Sequence, residues 1–266
     1  MMAVGGDGSP SMIVPFRLER TSCYNIRETW DSLCVSRGLS AVNELRELPL
    51  FPLNTVLFPG QALSLHIFEE RYKLMINRCL EKHEPVGIVL IREGQEVGAP
   101  AIPHQVGTVA TLLETERHPN GELDIIAVGQ ERFQLHEILQ QTPYIIGQIS
   151  AIPAAGKDSP RARALAQRVR EILPRYTNVL TEATGTLVQI VNVPEEPASL
   201  AFLVALALQV QKAEQQGLLA TIDISDMLAQ ELVLLQREIA VWGYVIATQA
   251  NEGELESNQF GRLTRN

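Results

Sequence analysis

Cysteine is scarce. Cys23, Cys34 and Cys79 are the three in the chain, an odd number at wide spacing. That excludes a disulfide framework, gives no zinc-ligand spacing and fits a reducing, cytoplasmic setting. Lysine is scarcer than arginine, with Lys73, Lys82, Lys157 and Lys212 the only four, and the arginines form no basic run. The 31 acidic residues against 22 basic ones leave a formal net charge of -9. A non-specific grip on phosphate backbones or anionic lipid would work against that field, so neither nucleic acid nor membrane is an expected partner. The longest apolar run, Leu200 to Leu208, has nine residues, against the roughly 20 needed to span a bilayer. It is expected to be a buried helix. The first residues lack a basic cluster followed by an apolar stretch, and Glu19, Glu28 and Asp31 argue against an organelle transit peptide.

The patterns that carry catalysis are missing as well. A phosphate loop needs Gly-x-x-x-x-Gly-Lys followed by Ser or Thr, so that amides cradle phosphate and a hydroxyl meets magnesium. Here Gly156-Lys157 is followed by Asp158 and has Ala151 at the upstream glycine position. His136-Glu137 has Gln140 where a zinc helix places its second histidine. His66, His83, His104 and His118 show no metal spacing either, and each reads as a surface or satisfied structural histidine. No Gly-x-Ser-x-Gly elbow and no serine-lysine nucleophile pair is recognisable. Glu69-Glu70 is a carboxylate pair, but adjacent helical residues diverge around the axis and cannot share one substrate. The sequence therefore predicts no catalytic residue, no metal ligand and no cofactor.

What is present falls into blocks. Residues 1–45, with Gly5, Gly6, Gly8, Ser9 and Pro10 near the start, lack periodic apolar burial and read as a flexible N-terminal extension. Leu48 to Leu53 and Val56 to Gly60 are apolar runs broken by prolines, expected as edge strands and tight turns. Ala62 to Ile67 can be extended, after which Phe68, Tyr72, Met75, Ile76, Cys79 and Leu80 recur at helical spacing up to Pro85. Val86 to Ile91 is a short strand. Val106 to Leu113 and Leu123 to Val128 flank His118-Pro119-Asn120-Gly121, where Asn-Gly supplies the positive φ angles of a tight hairpin. Tyr144 to Ile152 is a last strand. Ser159-Pro160 then predicts a helix N-cap followed by proline at the first helical position, with a kink or split at Pro174. Ala198 to Ala213 should be buried on several sides, and Asp223 starts a helix facing inward through Ile224, Met227, Leu228, Leu232, Leu235, Ile239 and Trp242. The expectation is an α+β protein: a β-rich domain over 46–152, a helical bundle over 158–248 and a flexible tail over 249–266.

Several of these stretches together resemble a known family. Leu48-Pro-Leu-Phe-Pro-Leu-Asn-Thr-Val-Leu-Phe-Pro-Gly60 and Leu65-His-Ile-Phe-Glu-Glu-Arg-Tyr72 look like the start of the Lon protease amino-terminal domain. Val106-Gly107-Thr108-Val109-Ala110, the strand from Gly121 to Ile126, Gly129-Gln-Glu-Arg-Phe133 and Pro143-Tyr144 follow in the family's order, as do Glu214 to Leu219, Asp223 and Leu234 to Glu238. The resemblance covers residues 46 to 245. It implies a PUA-like β pseudo-barrel followed by a C-terminal helical bundle, in a stand-alone form without the ATPase and protease of a full Lon. It also implies a non-catalytic role: binding unfolded or partner polypeptides, as an adaptor for a separate protease or chaperone. Phe51, Leu53, Leu57 and Phe58 are the candidate peptide-binding residues, set either in the barrel core or along a groove where an extended peptide joins a sheet edge. A cryptic peptidase or hydrolase, and an RNA-binding PUA-like module, are the competing readings.

Overall fold

The computed structural model describes residues 44–98 and 101–263, the side chains of 250–263 excepted. Nearly all of the N-terminal extension, Cys23 and Cys34 included, lies outside the described residues. The elements in chain order are β1 (Arg46–Leu53), β2 (Ala62–Ile67), α1 (Glu70–Lys82), β3 (Val86–Glu93), β4 (Ile102–Pro103), β5 (Val106–Arg117), β6 (Leu123–Gln140) and β7 (Ile145–Ile152). The helices α2 (Pro160–Thr184), α3 (Pro197–Ala207), α4 (Lys212–Ala220) and α5 (Ile224–Leu263) follow. No helix among the described residues is long and apolar enough to cross a membrane.

The chain divides into two compact units. The first holds the residues up to Pro153 together with Gln211–Ile222, and so takes in α4. Its strands run in the order β1-β7-β6-β5-β3-β4, and β1 also pairs with β3, so five of them close on themselves as a pseudo-barrel. The closure is parallel, Leu50 to Leu53 beside Gly87 to Leu90, while the other pairings are antiparallel. β6 is long enough to hold two neighbours on one edge: β2 pairs its first half from Leu123 to Val128, and β7 its second half from Arg132 to Gln140.

The prolines of β1 are accommodated by its divided pairing rather than by an edge position. Arg46 to Leu50 pair with β7 and Leu50 to Leu53 with β3, so most of the strand has a partner on one side only. A proline costs no ladder bond where its nitrogen faces the open side.

Inside the barrel Phe51, Leu53, Leu57, Leu65, Ile67, Val86, Ile88, Leu123 and Ile125 pack on Tyr72, Met75, Ile76 and Cys79 of α1. The helix thus presents the face that its sequence period marks. Its C-cap is His83 at φ 55, in the left-handed region, so the helix has ended before Pro85. At the β5–β6 turn, the Gly121 amide donates to the His118 carbonyl at 2.9 Å, and the His118 amide to Glu122 at 2.9 Å. Gly121 has φ 81, whereas Asn120 is not left-handed. The turn is therefore wider than a two-residue Asn-Gly loop and needs only one positive φ.

The second unit holds Ala154–Val210 and the chain from Asp223 onward. Ser159 caps α2, its hydroxyl accepting from the Ala162 amide at 3.0 Å, and Pro160 follows at the first helical position. α2 continues through Pro174 rather than splitting. The helix of the apolar stretch ends at Ala207, and the Tyr176 hydroxyl meets the freed backbone there: it accepts from the Gln209 amide at 2.9 Å and donates to the Ala207 carbonyl at 3.3 Å. α5 buries Ile224, Met227, Leu228, Leu232, Leu235 and Ile239, the face its spacing marks, and its backbone stays helical past Gln249 to Leu263.

Glu231 on the same helix is fully buried, and neither carboxylate oxygen has a hydrogen-bond partner among the described residues. Burial pushes its carboxyl well above the usual value. The folded chain therefore keeps a proton that the unfolded chain releases, and the sign follows: this contribution is full below about pH 4.3, where both states are protonated, and is lost as pH rises toward the raised folded value. Glu231→Leu is expected to raise stability at neutral pH by about 1–3 kcal/mol, the usual penalty of a buried unpaired polar group. Urea unfolding of parent and variant at about pH 5 and pH 8 checks this. The gain should be larger at the higher pH, and equal gains at both would show that Glu231 does not titrate there.

Candidate functional site

Phe51, Leu53, Leu57 and Phe58 are buried at 0%, 0%, 1% and 1% exposure. They are buried, the core placement of the two that the sequence leaves open: a side chain with no solvent-facing surface offers nothing to a client. Phe51 lies against the Tyr72 ring with centroids 4.3 Å apart. The loop carrying Leu57 and Phe58 is fastened by three hydrogen bonds, one to Thr108 and two to Gly129. Thr108 Oγ1 donates to the Leu57 carbonyl, the Gly60 amide to Gly129 at 2.9 Å, and the Gly129 amide to Gln61 at 2.9 Å. A Cβ at Gly129 would lie 2.4 Å from the Phe58 carbonyl oxygen, so only glycine permits this approach. The Val106–Ala110 and Gly129–Phe133 stretches thus serve to hold the proline-bordered loop.

Arg132, in the second of these stretches, is 2% exposed. It stands in the outward phase of β6 and is covered by the segment after α4. Its guanidinium donates to the carbonyls of Leu219 at 3.1 Å, Pro153 at 3.1 Å, Ile222 at 3.3 Å and Thr221. Burial lowers its pKa to about 10, which leaves it charged at neutral pH. Gln216 of α4 adds a bond of 2.9 Å from Nε2 to the Val106 carbonyl. Nothing in the local spacing marks Arg132 as buried, since what covers it lies some 90 residues away in sequence.

Two surface features of this unit remain as candidate sites. The first is a cleft of about 270 Å³ lined by Arg46, Glu47, Leu48, Pro49, Arg78, Glu84, Pro85 and Ile146. It lies where β1 and β3 have not yet met: among the described residues no strand pairs the second edge of Arg46 to Pro49. Its walls carry both signs. Arg78 donates to the Tyr144 hydroxyl at 3.1 Å, which raises its pKa, and lies 3.7 Å from Glu84, an ion pair too long for a hydrogen bond.

The second feature is on the outer face of the β2–β6–β5 ladder, where His66, Asp124 and Glu116 stand side by side in register. Asp124 bridges two histidines that the sequence separates widely: His66 Nδ1 is 2.6 Å from Oδ1 and His118 Nε2 is 2.7 Å from Oδ2. Glu122 Oε2 lies 3.2 Å from His66 Nε2. The hydrogen bond to Asp124 raises the His118 pKa. Burial pushes the Asp124 carboxyl up, but the bonds from His66 and His118 outweigh it and hold the group below its ordinary value. The remaining histidines, His83, His104 and His136, do not join this group.

The comparisons with known proteins agree with this architecture. A family model described as the ATP-dependent protease La (LON) substrate-binding domain matches residues 47–237. The Lon protease of Anaeromyxobacter dehalogenans is 26% identical over 194 residues, 72% of this chain and 23% of that protein. That of Phenylobacterium zucineum is 28% identical over 213 residues, 75% of this chain and 27% of its own. The chain thus spans about a quarter of the length of these curated relatives. Among solved structures, a Lon N-terminal domain protein from Xanthomonas campestris superposes with TM-score 0.54 at 24% identity, over 71% of this chain and 98% of that one. The N-terminal domain of a Mycobacterium avium complex Lon protease gives 0.57 at 17% identity, over 72% and 98%. With a closed pseudo-barrel, helices after it and a family match that takes in both, this chain belongs to the Lon substrate-binding domain family.

Proposed function

We propose that this chain is a non-catalytic module that binds unfolded or partner polypeptide, serving as an adaptor beside a separate protease or chaperone. The observation that carries the reading is the open edge of β1 at the cleft formed by Arg46 to Pro49, Arg78, Glu84, Pro85 and Ile146. An extended chain laid along that edge gains main-chain hydrogen bonds without a defined sequence, as a binder of varied clients requires. Pro85 and Ile146, both half-buried, offer an apolar floor, while Arg46, Arg78, Glu47 and Glu84 meet polar side chains of either sign at the rim. Membership of a substrate-binding family supports the polypeptide as ligand. Nothing in this mechanism needs a covalent step.

The test is site-directed photocrosslinking to fluorescently labelled, unfolded casein. A crosslinker attached through Glu47→Cys, which is exposed beside the cleft, should capture the client, and one attached through Leu113→Cys, exposed on β5, should not. Capture at both positions or at neither would overturn the placement. The same casein incubated with repurified protein, with and without ATP and magnesium, should stay intact. Fragments that persist through repurification would make the chain an enzyme.

A further inference from the structure

We propose that His66, His118 and Asp124 form a binding site for a divalent transition-metal ion of the zinc class, with Glu122 orienting the His66 ring through its far nitrogen. The candidate ligand atoms of the three residues all lie within 4.8 Å of one another. Two imidazole nitrogens converge on the two oxygens of one carboxylate, at 2.6 and 2.7 Å. An ion bound at about 2.0–2.2 Å sets tetrahedral donors roughly 3.3 Å apart. The two nitrogen–oxygen separations therefore need to lengthen by about 0.6–0.7 Å, and no other pair of donors has to close by more than about 1.5 Å. Side-chain exposures of 31% for His66, 33% for His118 and 44% for Asp124 leave these side chains room for that.

The backbone under the site is fixed. His66 and Asp124 are direct cross-strand partners on β2 and β6, and the adjoining Leu65, Ile67, Leu123 and Ile125 are anchored in the core. His118 is held at the head of the β5–β6 turn by its own amide bond to Glu122 and by the Gly121 bond to its carbonyl. Three ligands delivered by two strands and one turn make a rigid tripod. Two imidazoles with a carboxylate suit zinc, copper, nickel or cobalt better than magnesium or calcium, which favour oxygen alone. Glu114 and Glu116 line the adjoining hollow of about 350 Å³ with Asp124 and add a negative field that draws cations in. The bound ion would clip the hairpin tip to β2, and its solvent side leaves a position for water.

Protons compete for the same nitrogens, so binding should weaken as pH falls.

The experiment is calorimetric titration of tag-free protein with zinc chloride at about pH 7.5 and about pH 5.5. One ion per chain is expected at the higher pH, and affinity at least about tenfold weaker in His66→Gln, in His118→Gln and at the lower pH. His136→Gln should bind as the parent does. Imidazole NMR of the unmutated protein gives a reading free of folding effects: zinc should shift the ring nitrogens of His66 and His118 and leave those of His136 in place. Absence of zinc-dependent heat overturns the proposal, as does undiminished binding in the doubly substituted His66→Gln, His118→Gln protein or an NMR response confined to other histidines. In each case the cluster is a hydrogen-bonded brace and nothing more.

Discussion

Arg132→Met is expected to lower the stability of the barrel unit by about 3–5 kcal/mol, one of the largest single effects available in this chain. The methionine keeps an apolar stem of similar length but no donors. Four backbone carbonyls, those of Pro153, Leu219, Thr221 and Ile222, then lose the guanidinium that holds them. Each hydrogen bond from a charged donor contributes about 1.5–3 kcal/mol, and a buried acceptor left without a partner costs about 1–3 kcal/mol; partial re-solvation of the freed segment keeps the total below the sum. Arg132→Lys should recover only part of the loss, because a compact ammonium cannot span a fan of four acceptors. Urea unfolding measures the effect, and limited proteolysis locates it: Gln211–Ile222 should become the first site of cleavage in the methionine variant. An unchanged midpoint would mean that the segment is held by α4 packing and the Gln216 bond alone.

Phe51→Ala should cost a similar amount, about 3–5 kcal/mol, as truncation of a fully buried phenylalanine does. Phe51 is wholly excluded from solvent, stacked on Tyr72 of α1 and paired through its backbone with Ile88 across the parallel closure of the barrel. The cavity left would sit where helix and barrel seam meet, with little freedom to collapse. Against a total stability of roughly 5–15 kcal/mol, the melting midpoint must fall by many degrees. Client binding measured well below that midpoint should be unaffected, since the ring is not at the surface. Loss of binding without loss of stability would reinstate Phe51 as a contact residue and undo the assignment of the groove to β1's open edge.

The local elements of this protein were legible residue by residue. The apolar spacing from Phe68 to Leu80 gives the inward face of α1, Ser159-Pro160 the start of α2, and Asp223 with its following heptad-like face the start of α5. The β5–β6 hairpin could be placed from Asn120-Gly121, although only Gly121 takes the positive φ. Negative charge and the missing nucleotide, nucleophile and metal motifs bounded the function, and the order of the Leu48–Gly60, Gly129–Phe133 and Glu214–Leu219 stretches pointed to the family.

The candidate sites were not legible, for a physical reason that is the same in each case. A period of 3.6 or 2 residues says which side of an element is apolar, never what covers it. Phe51 and Leu57 look alike as core or groove until β3, β5 and α1 are seen to close over them. Arg132 reads as a surface arginine until the backbone of residues 219–222 arrives from the far end of the chain. α4 reads as bundle until Gln216 finds the Val106 carbonyl and the helix settles on the barrel. His66 and His118 have no spacing that suggests a shared ligand, and they meet at Asp124 only because β2 pairs with β6 in the register that sets His66 opposite it. Sequence alone determined helix faces, turns, family and the net negative field, since these follow from neighbouring residues and composition. Which side chains are buried, which strand edge stays open and which titratable groups converge were decided by tertiary structure alone, because long-range strand register and coverage are properties of the closed barrel and of no single segment.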